Sequence, residues 1–167
     1  YEDHNGQFNP ILWDMNMSFA SFRLADASEF WDGFSIAEAK TMDPLLHYNS
    51  VSVYARPLMR NLFENNTYRK MYLAHMRTIM EENFDNQNYY NRGQEPQALI
   101  DTSVMNDTNK FYSYTDFQDN ITSTVSDLVD YAGITDLMDA RSAYLNAYTG
   151  FSGAPTISNI ASSVNPT

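Results

Sequence analysis

Two oxygen-bearing side chains stand out by type and spacing. In the string Pro10-Ile11-Leu12-Trp13-Asp14-Met15-Asn16-Met17-Ser18-Phe19, Asp14 and Asn16 lie two positions apart within an apolar run. On an extended strand, residues two apart project from one face. A carboxylate beside an amide oxygen is a pair of hard donors suited to magnesium or calcium, and magnesium commonly bridges to substrate phosphates. The same pair also serves turns and side-chain hydrogen bonds without any ion, so spacing alone leaves both readings open. Ile11, Leu12, Trp13 and Phe19 would fix such a strand in a core.

Other chemistry-bearing residues carry less. Asp3 and His4 fall in Glu2-Asp3-His4-Asn5-Gly6-Gln7, where Asn-Gly signals a hairpin turn, so both are read as turn residues. His75 lies on the apolar side of a helical pattern and reads as a core histidine, and His47 follows Leu46 in a short helix without an evident partner. Arg56, Arg60 and Arg141 are candidate phosphate ligands, with salt bridges to an acidic chain as their default role. No Ser-His-Asp arrangement, P-loop or dinucleotide glycine pattern is present. The chain has no cysteine, which excludes disulfides, thiolate nucleophiles and zinc-thiolate sites.

The elements that must position these groups are mostly helical. The opening segment reads as a β-hairpin whose first strand is truncated, followed by the Asp14 strand and then by a loop over residues 20–42. Asp43-Pro44 opens a short helix, and Pro57 opens another. The clearest helix spans about Asn66 to Phe84, with Tyr68, Tyr72, His75, Met76, Ile79, Met80 and Phe84 on one face. A polar, Asn-rich loop is expected from Asn86 to Gly93, with a new helix from Pro96. Thr115 and Gln118 fit a capping box opening a helix that runs until Gly133, and a last helix ends at Gly150. Those two would form an antiparallel pair.

Several of these strings, taken together, resemble the CotH-type (spore-coat-protein-H-like) atypical kinases. Residues 10–19 are similar to that family's Trp-Asp-x-Asn/Asp signature, which follows a short hairpin. Met42-Asp43-Pro44-Leu45-Leu46, Arg56-Pro57-Leu58-Met59-Arg60-Asn61-Leu62-Phe63 and Tyr68-Arg69-Lys70-Met71-Tyr72 follow the family's order into its long helix, and Arg141-Ser142-Ala143-Tyr144-Leu145 is similar to its closing helix. The resemblance implies a mainly α fold: the helical carboxy-terminal lobe of an atypical protein-kinase-like domain, preceded by the truncated hairpin. It assigns residues 1–150 to that domain and 151–167 to a linker or the start of a β-sandwich. It implies transfer of phosphate from ATP to protein Ser or Thr in the parent protein, with ATP and Mg2+ (or Mn2+ or Ca2+) as cofactors. Asp14 would hold metal and nucleotide, like the aspartate of the Asp-Phe-Gly motif in ordinary kinases, and Asn16 would be a second metal ligand. No catalytic base is assigned within the chain, so the isolated fragment is expected to be inactive. The alternative is a non-catalytic cell-surface scaffold of the same fold, for which the Tyr- and Asn-rich loop from Asn86 to Gly93 is the supporting feature.

The bulk properties fit this reading. Of 167 residues, 43% are hydrophobic and 19% charged, which marks a folded chain of one-domain size. Twelve Tyr, ten Phe and nine Met promise a core of large, adaptable side chains. The net charge of −11 disfavours nucleic acid and anionic membranes, and no basic run exceeds Arg69-Lys70. No apolar run is long enough to span a bilayer. Expected partners are the missing amino-terminal lobe, an unknown protein substrate and a second copy of the chain, and the expected location is extracellular, cell-surface or periplasmic in a bacterium.

Overall fold

The computed structural model describes residues 1–13, 15, 18–21, 34–49, 56–127 and 130–152. Among these, helices dominate and most start where a side chain can satisfy their free amides. Helix α1 (Ile36–Thr41) is opened by a capping box, with Ser35 Oγ accepting from the Glu38 amide at 3.1 Å and Glu38 accepting from the Ser35 amide at 2.7 Å. It falls within the expected loop over residues 20–42, where its Ser-x-x-Glu signature stands in plain view. Asp43 Oδ1 accepts from the Leu45 amide at 2.7 Å ahead of α2 (Leu46–Asn49). Pro57 stands at the first position of α3 (Pro57–Glu64), where its missing amide costs nothing. Asn65 caps α4 (Asn66–Ile79) through the Thr67 amide.

The long helix departs from its expected form at its end. After Ile79 the chain widens into a π-helical turn, Met80–Phe84, closed by the Asp85 amide on the Met80 carbonyl at 2.9 Å. The buried face also differs: Leu73, Ala74 and Met80 are buried, whereas Tyr68, His75 and Ile79 are exposed. His75 is therefore a surface residue, not a core one. From Met80 the wide turn replaces the α-helical i, i+4 repeat with an i, i+5 one.

Two further expectations are corrected. The polar stretch from Asn86 is not a loop: α5 (Asn88–Asn106) begins two residues later and carries Pro96 in its interior. Burial of Tyr89 against Leu137 and Met138 outweighs the poor propensity of the Asn-rich sequence. The helix expected to run from Thr115 to Gly133 is short. Ser113 and Asp116, not Thr115 and Gln118, form the capping box of α6 (Tyr114–Asp119). The Asn120 side-chain amide then donates to the carbonyls of Ser123 and Tyr131 at 3.2 and 3.1 Å and folds the chain into a two-stranded antiparallel ribbon, β1 (Val125–Ser126) with β2 (Asp130–Tyr131). The β-branched run Ile121-Thr122, Thr124-Val125 favours this over helix.

The expected antiparallel pair of terminal helices is accordingly absent among the described residues. Helix α7 (Ile134–Asn146) packs instead against α1 and α5. It is the spine of the molecule. Leu145 joins Leu45, Phe63, Leu73, Met80 and Phe151 in one core cluster, while Leu137 and Met138 join Tyr89 and Ala132 in a second. Each large buried side chain contributes about 1.5–3 kcal/mol by leaving water. Residues 153–167, the greater part of the expected linker or sandwich strand, lie outside the described residues.

Candidate functional site

The segment that carries the signature enters as a tight hairpin. Glu2 and Phe8 form an antiparallel bridge, and Tyr1 and Asn9 exchange bonds of 2.7 and 2.8 Å. Gly6 takes the left-handed conformation (φ 77°) that the turn requires. Asp3 Oδ1 accepts from the amides of Asn5 and Gln7, both at 2.9 Å, so this carboxylate closes its own turn, and His4 stands exposed in it.

Beyond the hairpin, residues 9–13 form no strand, and Ile11, Leu12 and Trp13 stand 68%, 81% and 82% exposed. This corrects the expectation that they anchor the segment in a core. No described element covers them. Asp14 and Asn16 themselves lie outside the described residues. Phe19 and Ala20 both have φ of 57°. Consecutive left-handed residues that are not glycine cost about 1–3 kcal/mol each and persist only where the surroundings dictate them. They turn the chain onto the helical body.

There the segment borders a groove of about 590 Å³, with Met15, Ser18 and Phe19 on one side and Met80, Met138 and Arg141 on the other. Its walls are mainly apolar. Arg141 is the basic group among the described residues lining it. Its Nη1 donates to the Met42 carbonyl, and its guanidinium lies 5.5 Å from the Tyr144 ring centroid. Burial lowers its pKa from the usual value of 12.5. A guanidinium nonetheless remains a cation at neutral pH. Arg60 faces Glu64 at 4.0 Å, as an acidic chain predicts, and Arg56 sits left-handed at the start of α3. The His47 side chain lies outside the described residues. Among the described residues no three His, Cys, Asp or Glu side chains converge as a metal site. No helix among them is long and apolar enough to cross a membrane.

The hairpin, the signature segment and the helical body behind it are a combination that one family model also captures. The model for CotH kinase protein matches residues 1–145, and the chain belongs to that family. No curated protein and no solved structure matches it.

Proposed function

We propose that the chain is the carboxy-terminal part of a domain that transfers the γ-phosphoryl group of ATP to Ser or Thr of a protein. The observation that carries this reading is the family match, which begins on the hairpin and takes in Trp13-Asp14-Met15-Asn16. The donor types suit metal-assisted transfer, since a carboxylate and an amide oxygen are hard ligands. The positions they leave on a magnesium ion suit phosphate oxygens and water. Bound Mg2+-ATP would supply the phosphoryl group and neutralise its charge. Asp14 holds the metal and Asn16 is its second ligand. Arg141, fixed by the Met42 carbonyl, sets the position of α7 behind the signature segment.

Residues 1–150 form the kinase-like part in this reading, and the rest of the domain packs on the exposed apolar side chains of Phe8, Ile11, Leu12, Trp13 and Met15. Exposed large apolar side chains grouped in this way suit a contact surface. We assign no catalytic base within these residues, so the isolated chain is inactive. The protein acts outside the cytoplasm, where a cysteine-free chain is equally at home. The scaffold alternative loses its supporting feature, because residues 88–93 are the first turns of α5 and Tyr89 is buried.

The test is ATP-dependent phosphorylation by the protein that contains this chain, with magnesium or manganese, beside its Asp14→Ala variant. Activity that disappears in Asp14→Ala while the fold and Tm persist supports the proposal. A folded wild type that neither binds nucleotide nor transfers phosphate overturns it, and so does an Asp14→Ala variant of full activity.

A further inference from the structure

A second polar site lies apart from the signature segment, where α7 faces the chain that follows the π-helical turn. On α7, Asp139, Ser142 and Asn146 follow one another at i, i+3 and i+7, which places them on one face. Opposite them stand Asp85 and Gln87. Together with the rings of Phe84 and Tyr89 they line an open pocket of about 140 Å³. Its rim is exposed and acidic, and its floor is buried.

The groups inside are arranged as oxygen donors. Asp85 Oδ1 accepts from the Asn146 amide at 2.8 Å, and Asp139 Oδ1 accepts from Gln87 at 3.3 Å and from the Tyr89 hydroxyl. Each carboxylate is thereby held in place, and among the described residues its second oxygen has no partner. Ser142 is only 9% exposed, and among the described residues its Oγ has no hydrogen-bond partner. A buried hydroxyl left unpaired costs about 1–3 kcal/mol, which marks it as a group awaiting a ligand. Among the described residues no basic side chain lines the pocket, although two carboxylates do. An occupant that satisfies both facts carries positive charge and accepts oxygen lone pairs.

We propose that this pocket binds a hard divalent cation, calcium in particular, between the turn after the π-helix and the face of α7. Two carboxylate oxygens and the Ser142 hydroxyl, completed by water, make an all-oxygen set, while the Gln87 and Asn146 amide nitrogens hold the carboxylates in place. Calcium takes six to eight such ligands in irregular geometry, whereas magnesium demands a near-ideal octahedron and keeps its waters. The wide turn is the device that brings Asp85 opposite α7, and a bound ion would tie these two elements together. The proposal does not rest on the phosphoryl-transfer reading and uses neither Asp14 nor Asn16.

The experiment is calorimetric titration of the chain with calcium chloride, and separately with magnesium chloride, with Tm measured alongside. Wild type, Asp139→Asn, Ser142→Ala and Glu95→Gln are compared. One saturable calcium site is expected at up to millimolar concentration, with a rise in Tm. Asp139→Asn is expected to weaken it by about tenfold or more, and Ser142→Ala by several-fold with the fold retained. Glu95→Gln, at an exposed carboxylate outside the pocket, leaves it unchanged. Absence of saturable binding by the folded chain overturns the proposal, because no ion then occupies the pocket. Calcium binding that survives both pocket variants, or that is lost in Glu95→Gln, also overturns it by locating the ion elsewhere. Magnesium binding as tight as calcium overturns the assignment to calcium.

Discussion

The ammonium group of Lys40 on α1 donates to Asp136 Oδ1 on α7 at 2.8 Å, joining residues ninety-six positions apart. The Lys40 hydrogen bond is the largest cause that holds the Asp136 carboxyl below its ordinary 3.8; burial opposes it, and the Thr124 hydroxyl adds to it. A carboxyl with a lowered folded pKa contributes stability that is present above its unfolded pKa and lost as pH falls through the folded value. Asp136→Asn is therefore expected to lower stability by about 0.5–1 kcal/mol near neutral pH, since the pair is partly exposed. The difference from wild type should vanish in strong acid. Thermal unfolding over an acid pH series measures it, and a difference that grows on acidification contradicts this account.

Tyr89 supplies the alkaline counterpart. Burial, then its bond to Asp139, pushes this phenol up to about 12. A raised folded pKa contributes stability present below the unfolded value near 10.0 and lost as pH climbs through the folded one. Tyr89→Phe is expected to cost about 1 kcal/mol at neutral pH and to flatten the stability loss between those two values. Denaturant unfolding at neutral and alkaline pH distinguishes the two chains.

Gly133 is where α7 starts beneath the preceding loop. A Cβ there would lie 2.5 Å from the Ser123 amide nitrogen and 2.8 Å from the Thr122 carbonyl carbon, both backbone atoms. Because backbone cannot swing aside, Gly133→Ala should destabilise by about 1–3 kcal/mol or more. Gly93→Ala meets side-chain atoms only, the nearest being the tip of Ile134 at 3.3 Å, and should cost less. The order of the two Tm values is the readout.

Pro96 sits inside α5, where it removes a helical hydrogen bond and crowds the preceding turn. Pro96→Ala should raise stability, by up to about 3 kcal/mol less what the unfolded chain gains in freedom. A lowered Tm would mean that the proline packs against a neighbour whose loss outweighs the restored bond.

Several helix starts are legible in this sequence, because capping is local chemistry, although Pro96 falls inside α5 and the capping box of α6 is Ser113 with Asp116. Asp43, Pro57 and Asn65 each mark an observed start, and Ser35 with Glu38 marks α1 by the same local logic. Elements decided at a distance are not legible. Tyr89 makes α5 helical by docking on α7, which nothing in Asn86-Gln87-Asn88 announces. Asn120 ends α6 by bonding to carbonyls eleven and twelve positions on. For the site, Trp13-Asp14-Met15-Asn16 is readable as a string, while the exposure of Trp13 depends on what covers it. The i, i+3, i+7 spacing of Asp139, Ser142 and Asn146 is visible in the sequence, but its partner Asp85 is reached only through the π-helical turn.

The bare apolar run at the amino-terminal end also shapes the thermodynamics of unfolding. Ile11, Leu12 and Trp13 are already hydrated in the native chain, and Phe111 is 94% exposed on another surface. Unfolding exposes that much less new surface. Its heat-capacity change should fall below the usual about 12–15 cal/mol/K per residue. The denaturant slope, which scales with the same area, should fall with it. The stability curve of this chain is then flatter with temperature, and its transitions are broader, than its length alone would give.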